Sequence, residues 1–124
     1  MDHFRLAIEE MILSSFLFQE FNNELDLMEY KDFKLAYDLF RANRTTKLVA
    51  KAIRNLQEED QVVSDLTVLE YIEQRTKFDQ DEMISLLSKN GVTFDTMVKY
   101  LNRLREMEKE HSKHNILKGL QWNL

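Results

Sequence analysis

The near absence of proline and glycine is the feature that most restricts the fold of this chain. Its 124 residues contain no proline and two glycines, Gly91 and Gly119. Tight β-turns, bulges and hairpin connections depend on these residue types, and β-sandwiches and barrels need many such connections. Helices tolerate their absence best, so the sequence predicts an all-α protein. A length of 124 residues is typical of a single domain, 1–124, built around one core.

Composition narrows the class of protein further. Apolar residues make up 44% of the chain and charged residues 31%, which is typical of a globular domain. There is no cysteine, so disulfide bonds, thiolate metal sites and a cysteine nucleophile are excluded. No apolar run reaches the roughly 18 residues of a membrane span, and residues 1–5 (MDHFR) lack the pattern of a signal peptide. We therefore expect a soluble protein of the cytoplasm with no membrane contact.

Apolar periodicity predicts a single compact bundle of about five to seven helices. The first helix has Asp2 as its cap and ends near residues 22–23, and its apolar face is so wide that we expect this helix at the centre of the fold. Residues 24–40 are less regular and predict one or two short helices. Thr93 is expected to cap the last element, a long C-terminal helix or hairpin.

A helix from Thr45 or Thr46 to about Gln57 is predicted to be amphipathic. On a helical wheel, one side of it carries apolar residues and another side carries only cations. The segment 41–54 contains five basic residues and no acid, although the whole chain has a net charge of −5. The apolar side consists of Val49, Ala52, Ile53 and Leu56, and the basic stripe consists of Arg44, Lys47, Lys51 and Arg54.

Two further helices are predicted from capping boxes. In a capping box the cap side chain accepts the backbone N–H of the residue three positions later, and the acid at that later position accepts the backbone N–H of the cap. Thr67-x-x-Glu70 predicts a helix near 68–75, and Asp79-x-x-Glu82 predicts one near 80–88. Gly91 follows the second, and a left-handed glycine there is expected to end it. The segment 58–82 is rich in acids, so we expect opposite charges at different ends of the molecule.

No pattern in the sequence indicates catalysis. A glycine-rich loop followed by Lys and Ser or Thr does not occur, and no spacing selects a catalytic triad. We therefore predict a protein that is not an enzyme, with no catalytic residue and no cofactor. His111 and His114 are spaced to share a metal with Glu108 or Glu110, but solvent-facing polar residues are the better interpretation, so no metal site is predicted.

The basic stripe allows more than one interpretation. Its cations can contact phosphates or an acidic protein surface, and a solvated helix face is the more ordinary explanation. The segment lacks interleaved aromatic residues that would stack on unpaired bases. Direct nucleic-acid binding is therefore the weaker hypothesis.

The C-terminal segment carries more apolar residues than the core of the last helix needs. We expect a core bundle in residues 1–105 and an extension in 106–124. Apolar spacing lapses between Glu108 and His114 and then resumes, so the tail either folds back or contacts another chain. We predict self-association, as a dimer. The predicted self-association residues are Met97, Leu101, Leu104, Met107, Ile116, Leu117, Leu120 and Trp122.

Three segments, in this order, resemble the N-terminal domain of DnaB-type bacterial replicative helicases. Residues 8–15 (IEEMILSS) resemble the pattern of its first helix: a Glu, two variable residues, an apolar pair and a small residue. Residues 48–59 (LVAKAIRNLQEE) resemble its helix of paired apolar residues that leads into Leu-x-Glu. Residues 65–72 (DLTVLEYI) are similar to its Asp-x-x-Thr helix start, in which Thr is the cap. The resemblance covers about residues 8–105.

The resemblance implies a helical scaffold that pairs with copies of itself, forms the collar of a hexameric helicase and offers a surface to primase or a helicase loader. It assigns the pairing contact to a C-terminal helical hairpin, at about residues 94–124 here. The ATPase domain of that family does not lie within these residues, so the resemblance implies an interaction module, either part of a helicase or a separate protein. The helicase-binding domain of bacterial primase resembles the same bundle, so a primase-like role stays open.

Overall fold

The structure, a computed structural model, is all-helical over the residues that it describes, 2–18 and 24–122, with side chains described for residues 2–18 and 28–111. This confirms the predicted all-α class, and the number of helices lies within the predicted range. A short 3₁₀ helix, Tyr37–Leu39, precedes α3. The six α-helices of the described residues are α1 (His3–Phe18), α2 (Glu24–Asp32), α3 (Arg44–Glu58), α4 (Asp65–Glu73), α5 (Gln80–Leu87) and α6 (Phe94–Trp122).

Helix α1 occupies the centre of the bundle, as its wide apolar face predicted. It contacts α3, α4, α5 and α6. Ile12 and Leu13 have no exposed surface, whereas Phe4, in the first turn, is 61% exposed and lies outside the core. Asp2 is the cap, since its carboxylate accepts the backbone N–H of Arg5 at 3.1 Å. The predicted end near residues 22–23 lies outside the described residues.

The amphipathic pattern of α3 is confirmed, but its predicted cap is wrong. The cap is Asn43, whose side chain accepts the backbone N–H of Thr46 at 2.8 Å, while the Thr46 hydroxyl accepts the Asn43 N–H at 3.2 Å. Thr45 is instead buried and donates to Glu82 at 2.8 Å, which joins α3 to α5. Val49, Ala52, Ile53 and Leu56 all lie in the core.

Helix α4 also begins earlier than predicted. Ser64 is its cap and Thr67 occupies the third helical position, so the box runs from Ser64 to Thr67 rather than from Thr67 to Glu70. The Thr67 hydroxyl accepts the N–H of the cap just as a Glu carboxylate does in other capping boxes. The prediction relied on an acid, Glu70, and so placed the start of α4 three residues too late. The prediction for α5 is correct at its start, because Asp79 accepts the backbone N–H of Glu82 at 2.9 Å.

The α5–α6 connection packs against α1, and this packing explains the glycine in it. Gly91 does not have a positive φ, so the predicted left-handed stop is wrong, and α5 ends through Ser88 in a right-handed conformation. A Cβ on Gly91 would lie 3.3 Å from the Cα of Ser15. The Ser15 hydroxyl accepts the backbone N–H of Val92 at 2.8 Å. Glycine therefore suits the close approach of this connection to α1, and it is not used for a left-handed turn.

Helix α6 begins as predicted, and its backbone continues without a break to Trp122, so over residues 94–122 it is the long helix and not the helical hairpin that the resemblance implies. The Thr93 hydroxyl accepts the backbone N–H of Thr96 at 3.3 Å. A helix of 29 residues is about 43 Å long. Within the described part of the chain, no helix combines the length and the apolarity that a bilayer crossing requires.

Candidate functional site

The basic stripe predicted on α3 lies on the face opposite the core. Arg44, Lys47 and Lys51 are exposed, and Arg54 is half-buried. Arg54 is used within the fold, because it pairs with Glu58 at 2.6 Å and donates to the Leu35 carbonyl at 3.1 Å. That hydrogen bond holds the pKa of Glu58 below its ordinary value. Arg54 is therefore less available to a partner than the other three cations.

A cleft between α3 and α4 lies beside this stripe and encloses about 310 Å³. We call it the α3–α4 cleft. Its apolar floor is formed by Leu48, which is partly exposed, and by Ala52 and Ile72, which are almost fully buried. The full lining is Leu48, Lys51, Ala52, Asn55, Tyr71, Ile72, Arg75 and Thr76.

Polar contacts fix the walls of the α3–α4 cleft. The Asn55 side chain donates to the Tyr71 hydroxyl at 2.9 Å, which joins the two helices across the cleft. The guanidinium of Arg75 lies 3.5 Å from the centre of the Tyr71 ring and donates to the Tyr71 carbonyl at 3.0 Å. Arg44 donates to Thr76 at 3.1 Å from the α3 side. The rim is therefore held in place before any partner arrives.

The rim of the α3–α4 cleft is cationic. Lys51 and Arg75 line it from the two helices, and Arg44 reaches it through Thr76. The lining residues include no carboxylate. Arg75 lies within the acidic segment 58–82 of the sequence, so no sequence pattern links it to the stripe, and only the packing of α4 on α3 brings it close. The cleft thus offers an apolar surface with positive charge on both sides.

A second cluster of charged side chains is structural. Glu9, which has no exposed surface, binds Arg5 at 2.8 Å, and Arg5 also binds Glu108 on α6 at 2.7 Å. Arg41 binds the same Glu108 oxygen at 2.9 Å. Burial lowers the pKa of Arg5, but its hydrogen bonds to Glu9 and Glu108 outweigh burial and raise it, so this guanidinium stays charged. The cluster fastens α6 to α1.

Glu108 is one of the two acids that the sequence places near His111 and His114 as a metal ligand, and its carboxylate is paired with Arg5 and Arg41. His111 is exposed, and the His114 side chain lies outside the described residues. Among the described residues, no three His, Cys, Asp or Glu side chains are grouped so that they can hold a metal ion.

The burial of α6 corrects part of the predicted self-association surface. Met97, Leu101 and Leu104 have no exposed surface, because they fill the core of their own chain. Met107 is half-buried against that core. These side chains pack within the chain, so the first three have no surface to offer a second copy. The other predicted residues, Ile116, Leu117, Leu120 and Trp122, lie outside the described side chains.

Comparison with known proteins gives no relative. No protein-family model matches the chain, and neither the curated proteins nor the solved structures contain a significant match.

Proposed function

We propose that this chain is a non-catalytic protein-interaction domain, a scaffold of DNA replication similar in role to the N-terminal domain of DnaB-type helicases. Its partners under this proposal are copies of itself together with primase, helicase or a helicase loader, and its location is the cytoplasm. One observation carries the proposal: the α3–α4 cleft combines an apolar surface with a cationic rim.

The composition of the α3–α4 cleft suits a protein ligand. Protein interfaces concentrate binding energy in small pockets that combine aromatic, arginine and aliphatic groups, as Tyr71, Arg75 and Leu48 do here. The lining contains no carboxylate, histidine or thiol that would act as a general base or a nucleophile. An acidic helix with apolar residues on one face is the ligand that this surface fits best.

The residues that carry the helicase resemblance have definite roles in this bundle, which supports the proposal. Glu9 accepts two hydrogen bonds from the backbone N–H of Ala42, at 3.0 and 3.1 Å. The buried hydroxyl of Ser14 donates to the Lys89 carbonyl at 2.5 Å. Thr67 is not the cap that the family pattern has at this point, but it completes the capping box of α4 from the third helical position. The pattern of Glu, apolar pair and small residue thus corresponds to contacts that stabilise this arrangement of helices.

Direct binding measurements test the proposal. The purified chain is titrated, by calorimetry, with the replicative helicase, the primase and the helicase loader of its source organism. We expect one of them to bind, and we expect the Lys51→Glu/Arg75→Glu variant to bind at least about tenfold more weakly. Lys99→Glu/Lys109→Glu, which changes two exposed cations of α6 by the same charge, is the matched control. The absence of binding to all three proteins would contradict the proposal.

The proposed self-association surface is the C-terminal part of α6. The sequence places Ile116, Leu117, Leu120 and Trp122 there, and a cluster of large apolar side chains needs a surface that covers it. We expect sedimentation to show a dimer that Trp122→Ala weakens. A strict monomer at high micromolar concentration, unchanged by Trp122→Ala, would exclude this surface.

Nucleic-acid binding is the second candidate function, and the exposure of the stripe is the observation that favours it. Arg44, Lys47 and Lys51 are exposed on one face, and none of the α3–α4 cleft residues carries a negative charge. The apolar part of the cleft has no use in phosphate binding, which makes a protein ligand the better proposal. Fluorescence anisotropy with single-stranded and duplex DNA at low salt tests this candidate, and replacing Arg44, Lys47, Lys51 and Arg54 by Glu should abolish any signal.

A further inference from the structure

The start of α4 carries exposed apolar residues that lie beside negative charges, whereas the α3–α4 cleft is bordered by positive charges. Leu66 is 74% exposed and Val62 is 72% exposed, the two highest values among the large hydrophobic residues of the described chain. Asp65 precedes Leu66, and Glu70, one helical turn later, is exposed on the same face. We call Val62, Asp65, Leu66 and Glu70 the α4 knob. It places apolar groups beside negative charges.

The apolar residues of the α4 knob, Val62 and Leu66, lie at the N-terminal end of α4, and the α3–α4 cleft lies towards its C-terminal end. The knob occupies the turn before α4 and its first turns, whereas Ile72 and Arg75 line the cleft at its C-terminal end. Leu66 and Arg75 are nine positions apart, along α4 and the turn that follows its last residue, which corresponds to about 13 Å at the rise of a helix. A rigid helix cannot bring its own knob to its own cleft. A second copy of the chain can.

We infer that the α4 knob of one copy docks into the α3–α4 cleft of another, so that copies associate head to tail. This inference rests on the proposed docking role of the cleft, but not on a role in replication or on α6. Asp65 and Glu70 of the entering knob face Lys51 and Arg75 of the receiving cleft, while Leu66 covers its apolar surface. A volume of about 310 Å³, equal to that of about ten water molecules, has room for both Leu66 and Val62.

The association is expected to be weak and open-ended. A contact made by one helix turn and one cleft buries less than the roughly 1,200 Å² of a standard stable interface, so we expect dissociation constants in the high micromolar range. The two surfaces differ, and a contact between unlike surfaces leaves a free knob and a free cleft on the ends. Rows or rings of copies then form as the concentration rises. High salt should weaken the contact, because its charges lie at the rim.

Two complementary variants test this inference. The Leu66→Asp variant lacks the knob and keeps the cleft, whereas the Lys51→Glu/Arg75→Glu variant has an altered cleft and keeps the knob. The Leu66→Asp variant is labelled with ¹⁵N, and the unlabelled Lys51→Glu/Arg75→Glu variant is added to it up to millimolar concentration in low salt. We expect shifts in the amide signals around Lys51, Asn55 and Arg75. The matched control is a titration with a protein that carries all three substitutions, which should leave these signals unchanged.

The outcomes separate this inference from the proposed function. Association through α6 would shift α6 signals equally in both titrations and leave the cleft signals alone. Absence of cleft shifts at millimolar concentration, or the same cleft shifts with the triple variant, would overturn the inference while leaving primase, helicase and loader binding unaffected. Val62→Asp replaces Leu66→Asp if circular dichroism shows that the latter is unfolded, and Val62 is likewise exposed.

Discussion

Glu9 on α1 accepts the backbone N–H of Ala42 with both carboxylate oxygens, at 3.0 and 3.1 Å. Ala42 directly precedes Asn43, the cap of α3. A single buried side chain therefore fixes the position at which α3 begins relative to the central helix. The same carboxylate binds Arg5, which in turn binds Glu108 on α6.

We expect Glu9→Gln to lower the free energy of unfolding by about 3 kcal/mol, because an amide offers one acceptor oxygen and leaves Arg5 without its buried counter-charge. Urea denaturation followed by circular dichroism measures the change. Glu29→Gln, at an exposed position of α2, is the matched control and should change stability by less than about 0.5 kcal/mol. A loss below about 1 kcal/mol for Glu9→Gln would show that the fold does not depend on this carboxylate.

The neighbouring Glu10 should behave in the opposite way. It is 2% exposed, one of its oxygens has no hydrogen-bond partner among the described residues, and its other oxygen lies 3.8 Å from the Lys89 ammonium. We expect Glu10→Met to leave the free energy of unfolding unchanged or to raise it by about 1 kcal/mol, since a buried and poorly paired charge gives way to an apolar group of similar size. Thermal and urea denaturation measure this effect, and a loss above about 2 kcal/mol would contradict it.

Asp60 offers a site for stabilisation. It has a φ of 54°, the only positive φ of a non-glycine residue among the described positions. The backbone N–H of Asp60 donates to the Gln57 carbonyl, and that of Gln61 donates to the Leu56 carbonyl at 2.9 Å. This pattern ends a helix through a left-handed residue, for which glycine is best suited. We expect Asp60→Gly to raise the free energy of unfolding by about 0.5–1 kcal/mol, and Lys99→Gly, at an exposed interior position of α6, to lower it by about 1 kcal/mol.

The Arg54–Glu58 pair predicts a measurable titration. The hydrogen bond from Arg54 lowers the pKa of Glu58 from its ordinary value of 4.5, so the pair stabilises the fold above that value, and its contribution is lost as the pH falls through the folded pKa. We expect Arg54→Gln to move the midpoint of Glu58 up towards 4.5 in an NMR titration of its carboxyl group. Lys34→Gln removes a weaker and more distant attraction, so it should raise the midpoint less. An equal effect of the two substitutions would be inconsistent with the hydrogen bond as the main cause.

The sequence predicted those parts of the fold that depend on local periodicity. Val49 and Ile53 lie in the core and Lys47 and Lys51 lie outside it, because a helix turns by a fixed angle per residue whatever surrounds it. The same reasoning correctly placed α1 at the centre of the bundle. It also predicted the basic stripe that borders the α3–α4 cleft.

The predictions were wrong at the starts of α3 and α4 and at Gly91, where more than one residue type can make the same hydrogen bonds or where one residue type has more than one use. Asn43 and Ser64 are the caps of α3 and α4, whereas Thr46 and Thr67 occupy the third helical position of each box and Thr45 the second. Both residue types accept backbone hydrogen bonds, so composition alone does not rank them. Gly91 was assigned to a left-handed turn, although its actual requirement is contact with Ser15.

The cleft was beyond sequence reasoning, because it depends on where two helices meet. Arg75 is separated from Lys51 by 24 positions and by an acidic segment, and nothing in their spacing brings them together. Likewise, Leu101 and Leu104 belong to an apolar pattern that indicates burial but does not say whether their own chain or another buries them. Only the packing of α6 on α1 and α2 decides that question.

The double attachment of Glu108 has a mechanical consequence. Arg5 and Arg41 hold one of its carboxylate oxygens from α1 and from the segment that leads into α3. Tension applied to the C-terminal end of α6 is therefore transmitted through one oxygen atom to two other parts of the bundle. Pulling on that end therefore loads these two ion pairs before the apolar core around Leu101 and Leu104, which lies further from it along α6.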